Sequence, residues 1–402
     1  MRKDSGLLTN TTKRVEEWKV TKMKVAIIEP NLVDYTGHYY SFVSELKHGF
    51  EELGDEVEVF MPENSEAPII GIKVLPRLNR SPASRIRTYS KILLDILRFA
   101  RILKNIQRRF DVLVFTSADN PQMIGGVSLI WTKKPLIFYF HAPELYFYPM
   151  RKSLKLLKVS NALKRKPISF ITPAVLEQKI TQDIFFKKIK LFPEAPYPLT
   201  PPFSFEKLPN CNDFYLGYLG DARKEKNYIT LIELINAAPE EIGFIVQCNP
   251  PGCGFYEAGI KEAIGHIKGV QRDRLSIFEK PLPQNEYGEL LNKSSIVWCL
   301  YDKSHYRNRV SGILLEAWSL GKPVITTSGT WMAKQLEKYG GGIVLDTLEI
   351  QDILKAIEEI RDDYARFSAE AEAAGRILYE KNNGVALAGF IKDIVRKGNG
   401  SV

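Results

Sequence analysis

Two stretches of the 402-residue chain gather residue types that handle anions and hydroxyl groups. In GYLGDARKEKNYITLIELI (217–235) an apolar strand leads into a turn carrying Arg223 and Lys226, and a helix follows from Tyr228. Two cations beside backbone amides at the positive end of a helix form an anion site. In NRVSGILLEAWSLGKPVITT (308–327), Ser311 and Gly312 suit the cap and first turn of a second helix, with amides able to meet a phosphate or sugar oxygen. One turn on, Glu316 interrupts an apolar run among Leu314, Leu315 and Trp318. A carboxylate there costs stability unless it finds a partner. The paired hydroxyls of a ribose would be one. A solvated charged turn and a surface glutamate are the ordinary alternatives.

Two further candidates lie in the first half. His141 ends the apolar stretch PLIFYFHAP, and Gly37 sits in DYTGHYY after the strand KVAIIEP. Ligand-facing residues of open α/β sheets occur at such strand ends. A histidine satisfied within the core is the alternative for His141, and a cap of the following helix for His38.

The elements that must position these residues alternate. Strands KVAIIEP, VEVFMP, FDVLVFTSA, PLIFYFHAP and SFITP are separated by helical stretches, the apolar MIGGVSLIW among them. After the proline-rich KLFPEAPYPLTPP (190–202), expected to be a stiff linker, the pattern restarts with FYLGYLG. Strands GFIVQC, LSIF, SIVWCL, PVITT and GGIVL follow, with helices at 257–268, 284–293, 312–320 and 331–339, then a helical tail broken near 381–384. Strands this apolar belong to parallel sheets covered on both faces. The expected fold is α/β: two Rossmann-like doubly wound lobes with an interdomain cleft. The predicted division is a loose N-terminal extension (1–22), an N-terminal lobe (23–199), a C-terminal lobe (200–382) and a final helix (383–402) returning to the first lobe.

The stretch EAWSLGKPVITTSGT resembles the donor-site signature of retaining GT-B-fold glycosyltransferases, notably glycosyltransferase family 4 (group 1). That signature reads acid, seven residues, acid-Ala, then Gly-Lys-Pro-Val. Glu316-Ala317 matches the second acid and Gly321-Lys322-Pro323-Val324 the tail, while Asn308 stands where the first acid is usual. Lys226 matches the lysine of the family's phosphate loop, with Arg223 one turn before it; Gly37 and His141 match a glycine loop and a histidine that line the donor site. The coarse likeness covers about 24–395 and its specific part about 215–345.

The resemblance implies an acceptor-binding N-terminal lobe and a nucleotide-sugar-binding C-terminal lobe. It implies sugar transfer from a nucleotide-diphosphate sugar to a glycan or lipid-linked acceptor, with retention of anomeric configuration, in the building of a cell-surface glycan. His141, Arg223 and Lys226 would be catalytic. Gly37, Asn308, Arg309, Ser311, Gly312 and Glu316 would bind donor, with Arg307 or Arg309 adding charge toward the diphosphate. Neither cofactor nor metal is expected, since no Asp/His cluster has ligand spacing. A non-catalytic glycosyltransferase-like scaffold, motivated by Asn308, and a nucleotide-sugar epimerase are the rival readings.

The net charge of +9 is local. Residues 77–110 hold ten Lys/Arg against Asp95, residues 151–166 hold seven and no acid, so these segments sum to +16 and the rest to −7. On helix 85–108, Ile86, Tyr89, Leu93, Ile96, Leu97, Ala100 and Leu103 are predicted to form the packed stripe, opposite Arg87, Lys91, Arg98 and Arg101. Cations in this excess favour an anionic membrane surface as partner. Nucleic acid is not expected, because aromatic and basic residues do not interleave as in a known module. No apolar run reaches the ~18 residues of a membrane span. The N-terminus lacks a signal-peptide core, and Cys211, Cys248, Cys253 and Cys299 read as reduced thiols. The expected location is cytoplasmic, peripheral on the inner face of the cell membrane.

Overall fold

The computed structural model describes residues 14–35, 38–76, 85–117, 121–141, 163, 166–173, 190–192, 194–200, 214–251 and 255–399. They fall into two compact units, one of residues 1–200 with 381–402 and the other of 201–380. Both are Rossmann-like, as the alternation of apolar strands and helices predicts.

In the first unit, strands β1 (Lys24–Ile28), β2 (Glu56–Pro62), β3 (Ile72–Leu75), β4 (Val112–Phe115), β5 (Leu136–Tyr139), β6 (Ile168–Ile171) and β7 (Lys190–Phe192) form one parallel sheet. Its order is 3-2-1-4-5-6-7. Alternate side chains serve opposite cores: Ala26 and Ile28 point to one, Val25 and Ile27 to the other. β7 corrects one expectation, because the start of the proline-rich stretch is an edge strand rather than linker.

Helices α1 (14–19), α2 (His38–Glu52) and α13 (Gly384–Asn399) contribute to the second of those cores, and α3 (Arg85–Ile106) and α4 (Pro121–Leu129) to the first. The extension expected to be loose is therefore partly ordered. Trp18 is buried beside Gly389, and its indole donates to Asp393 at 3.0 Å. In the same core Lys392 donates to both Asp55 carboxylate oxygens, at 2.6 and 2.7 Å, with both side chains fully buried. Desolvation raises the Asp55 carboxyl, and Lys392 with the Met23 amide works against that rise.

The predicted stripe of α3 is rotated from the observed one. Ile96, Phe99, Leu103 and Ile106 are buried, whereas Leu93, Leu94 and Leu97 face outward. The α4 surface sets this phase. A Cβ on Gly125 would lie 2.8 Å from the Ile96 side chain, and one on Gly126 would lie 2.6 Å from Phe99. Two adjacent glycines thus receive the Ile96 and Phe99 turns of α3 in a close crossing.

The second unit holds β8 (Phe214–Tyr218), β9 (Ile242–Gln247), β10 (Leu275–Phe278), β11 (Ile296–Cys299), β12 (Val324–Thr327) and β13 (Gly342–Leu345). All neighbours pair in parallel, in the order 10-9-8-11-12-13, which repeats the 3-2-1-4-5-6 plan. Helices α5 (Tyr228–Ala237), α6 (Ile260–Lys268), α7 (Gln284–Lys293), α8 (Lys303–Tyr306), α9 (Gly312–Ser319), α10 (Trp331–Tyr339), α11 (Ile350–Asp362) and α12 (Tyr364–Lys381) complete it. In each sheet the chain reverses direction beside its first strand, between β1 and β4 and between β8 and β11. Sheets of this plan bind ligands at that switch point, beyond the carboxyl ends of the strands.

Candidate functional site

At the switch point of the second unit, β8 ends at Tyr218 and the chain turns through Gly220. Gly220 has φ +106°, and a Cβ there would sit 2.9 Å from the Lys226 ammonium. The dihedral favours glycine, and a side chain there would also displace the Lys226 ammonium. The Gln247 side-chain oxygen at the end of β9 accepts from the Gly220 amide at 2.6 Å. Arg223, predicted to help form an anion site, is held by Asp221, with its guanidinium donating at 2.6 and 3.2 Å. Asp221 is held in turn by the Asn249 amide at 2.8 Å. Burial opposes the Arg223 charge, but Asp221 outweighs it and raises the group above its ordinary range.

Arg309 is likewise spoken for. It pairs with Glu225 at 3.1 Å and lies over the Tyr306 ring; Arg223 reaches the same carboxylate at 3.6 Å. Lys226 differs from both arginines. It is 9% exposed, and among the described residues its ammonium has no hydrogen bond or ion pair, only the Tyr301 ring 5.6 Å away. Desolvation lowers it to about 8. Asp221 and Glu225 are engaged by the two arginines and favour the Lys226 charge only from a distance, as does the Glu316 carboxylate described below. A buried cation without a counter-ion is costly, and an arriving anion removes the cost.

The opening of α9 lies against this turn, with the Ile313 side chain within 4 Å of a Cβ built at Gly220. Ser311 caps the helix as its residue type predicts, its hydroxyl accepting from the Leu314 amide at 3.4 Å; Gly312 is the first helical residue. Glu316, one turn further, does have a protein partner. The Tyr287 hydroxyl from α7 donates to its carboxylate at 2.5 Å. Desolvation raises Glu316 to about 7, while Tyr287 and the Lys226 charge act in the opposite sense. Asn308 is buried, and its side-chain oxygen accepts from Lys334 of α10 at 3.4 Å. Arg307 is exposed. Residues 217–235 and 308–316, separate in sequence, thus converge on one strand end.

The first unit's switch point is arranged differently. Glu29, fully buried just past β1, accepts from the Thr116 hydroxyl at 2.7 Å, from the Ser117 hydroxyl and from the Asn31 amide at 2.7 Å. His141 joins this end. Its Nε2–H donates to the Thr116 carbonyl at 2.9 Å, and its ring packs edge-on against Phe42 at 4.9 Å. Gly37 lies outside the described residues.

Sequence reasoning missed Tyr287, Asp221, Glu225 and Glu29. Asp221 carried a readable signal, two residues before Arg223 in the same turn. Tyr287 carried none, since its helix shows only an ordinary amphipathic pattern. Among the described residues, no group of three or more His, Cys, Asp or Glu could hold a metal ion, and no helix is long and apolar enough to cross a membrane.

Residues 41–172 match Glycosyltransferase Family 4. No curated protein matches the sequence. Among solved structures, sucrose-phosphate synthase from Thermosynechococcus elongatus aligns at TM-score 0.70 and 12% identity, over 94% of this chain and 100% of that one. A glycosyltransferase from Rickettsia africae aligns at 0.63 and 14%, over 95% and 100%. HepE of Anabaena, solved with UDP and glucose, aligns at 0.60 and 12%, over 93% and 99%. At these identities the likeness is one of fold. The first unit thus carries a segment that matches Glycosyltransferase Family 4, and the two Rossmann-type units share the fold of these glycosyltransferase structures.

Proposed function

We propose that the protein transfers a sugar from a nucleotide-diphosphate donor to a glycan or lipid-linked acceptor, with retention of anomeric configuration, in the assembly of a cell-surface glycan. The observation that carries the donor assignment is Lys226, a buried ammonium that, among the described residues, makes no hydrogen bond or ion pair at the second unit's switch point. A diphosphate supplies a counter-ion. As the glycosidic bond breaks, charge grows on the leaving phosphate, and a preorganised cation in a desolvated site stabilises it more than water does. Arg223 and Arg309, each oriented by a carboxylate, flank Lys226. Glu316 accepts a ribose hydroxyl on the oxygen that Tyr287 leaves open, and Asn308 meets the sugar. UDP in the structure of HepE makes a UDP-sugar the first donor to try.

Retention rests on the family resemblance, as do the acceptor-binding role of the first unit and the placing of His141 and Gly37 at the donor. The basic segments 77–110 and 151–166 would bring the enzyme to an anionic membrane, where a lipid-linked acceptor resides; most of 151–166 lies outside the described residues. The neutral Asn308 favours one rival, a non-catalytic scaffold. The test is transfer from UDP-, GDP- and ADP-sugars with the product anomer read by NMR. Activity with retained configuration, abolished by Lys226→Ala and weakened by Glu316→Ala, is expected. Activity unchanged in both variants would remove the site assignment, and absence of nucleotide binding by calorimetry would favour the scaffold.

A further inference from the structure

Helix α3 keeps three leucines in water. Leu93, Leu94 and Leu97 are 55%, 60% and 52% exposed, although the same helix buries Ile96, Phe99, Leu103 and Ile106. Side chains three and four apart share a helix face, so the outward side carries two neighbouring rows. One consists of Leu93, Leu97, Arg101 and Lys104, the other of Lys91, Leu94 and Arg98. All four cations are exposed. Of the acids nearby among the described residues, Asp95 is buried and Glu63 pairs with Arg98 at 3.6 Å. A single exposed leucine is ordinary. Three within five residues, interleaved with cations, have the composition of a helix lying in a lipid interface.

We infer that the outer face of α3 docks on an anionic lipid leaflet, with Leu93, Leu94 and Leu97 entering the acyl boundary while Lys91, Arg98, Arg101 and Lys104 meet the phosphate headgroups. The inference deepens the membrane reading above, which rests on charge alone; insertion of leucines is the new element. Charge selects this occupant over a second copy of the chain, which would bring an identical set of cations against these four. An anionic leaflet complements both halves of the face at once.

The test is co-sedimentation of the full-length protein with phosphatidylcholine vesicles, with and without phosphatidylglycerol, across a salt series. Wild type is expected to bind the anionic vesicles and to stay partly bound at high salt, because inserted leucines are not screened. A Leu93→Ser, Leu94→Ser, Leu97→Ser variant is expected to bind at least about tenfold more weakly and to be released fully by salt. Its melting temperature and nucleotide binding should be unchanged. A variant with Lys91, Arg98, Arg101 and Lys104 each changed to Gln should lose the preference for phosphatidylglycerol. Equal binding by the leucine variant overturns the inference and leaves a charge-only membrane contact. No binding by wild type overturns both readings. A dimer seen by light scattering and lost in the leucine variant assigns the face to self-association instead.

Discussion

The two sheets share one strand order, yet their switch points are chemically opposite. Beyond β1 and β4 a buried acid, Glu29, accepts among the described residues from two hydroxyls and an amide of its own unit. Beyond β8 and β11 a buried base, Lys226, is left without an acceptor while both neighbouring arginines are paired. One end is chemically closed and the other is open to an anion. Topology locates where a ligand can bind, and the unpaired Lys226 ammonium is the ground on which we propose that the ligand is an anion.

Removing the Lys226 charge tests this most severely. Lys226→Met keeps the unbranched stem up to Cε and deletes the cation. Nucleotide-diphosphate affinity and transfer rate are expected to fall by about 10²–10³-fold, while the melting temperature of the unliganded protein rises, since a desolvated charge has gone. Calorimetric titration and a thermal melt read the two effects. A fall in both would mean that Lys226 is a structural residue, and the contrast with Glu29 would collapse.

The pH dependence sharpens the same contrast. Lys226 titrates at about 8 when folded against an ordinary 10.5, so between these values the unfolded chain binds more protons. Stability owed to this group therefore rises with pH from about 8 to 10.5, by at most ~3 kcal/mol. Anion affinity falls over the same range as the ammonium is lost. Denaturant melts of wild type and Lys226→Met across that window isolate the difference; parallel curves would contradict the assignment.

Glu29→Gln probes the closed end. Glutamine offers one acceptor oxygen where Glu29 uses both, so either the hydroxyl pair or the Asn31 amide loses its partner. A loss of about 1–2 kcal/mol in the stability of the first unit is expected, with nucleotide affinity unchanged. A matching loss of donor affinity would show that the two ends are not independent.

Much of this was legible in the chain. Apolar strands of four to seven residues alternating with helices require a covered parallel sheet, and the observed bounds of helices 284–293 and 331–339 coincide with the predicted ones. The basic turn at 223–226 also announced an anion site by residue type. The sense in which Arg223, Arg309 and Glu316 act was not legible. Their partners come from the same turn, from 84 residues away and from 29 residues away respectively, and no periodicity encodes such pairings.

Helix α3 shows the boundary most clearly. Its sequence is apolar over more than half its circumference, so composition determines that it packs on a sheet but leaves the rotation about its axis open. Gly125 and Gly126 of α4 decide that rotation by accepting Ile96 and Phe99, which turns Leu93, Leu94 and Leu97 outward. The sequence by itself determined the elements, the doubly wound plan and the residues able to handle phosphate, because these follow from local pattern and side-chain chemistry. Only the tertiary structure decided which charges cancel, which cation remains and which apolar face stays in water, because each depends on what a distant segment brings alongside.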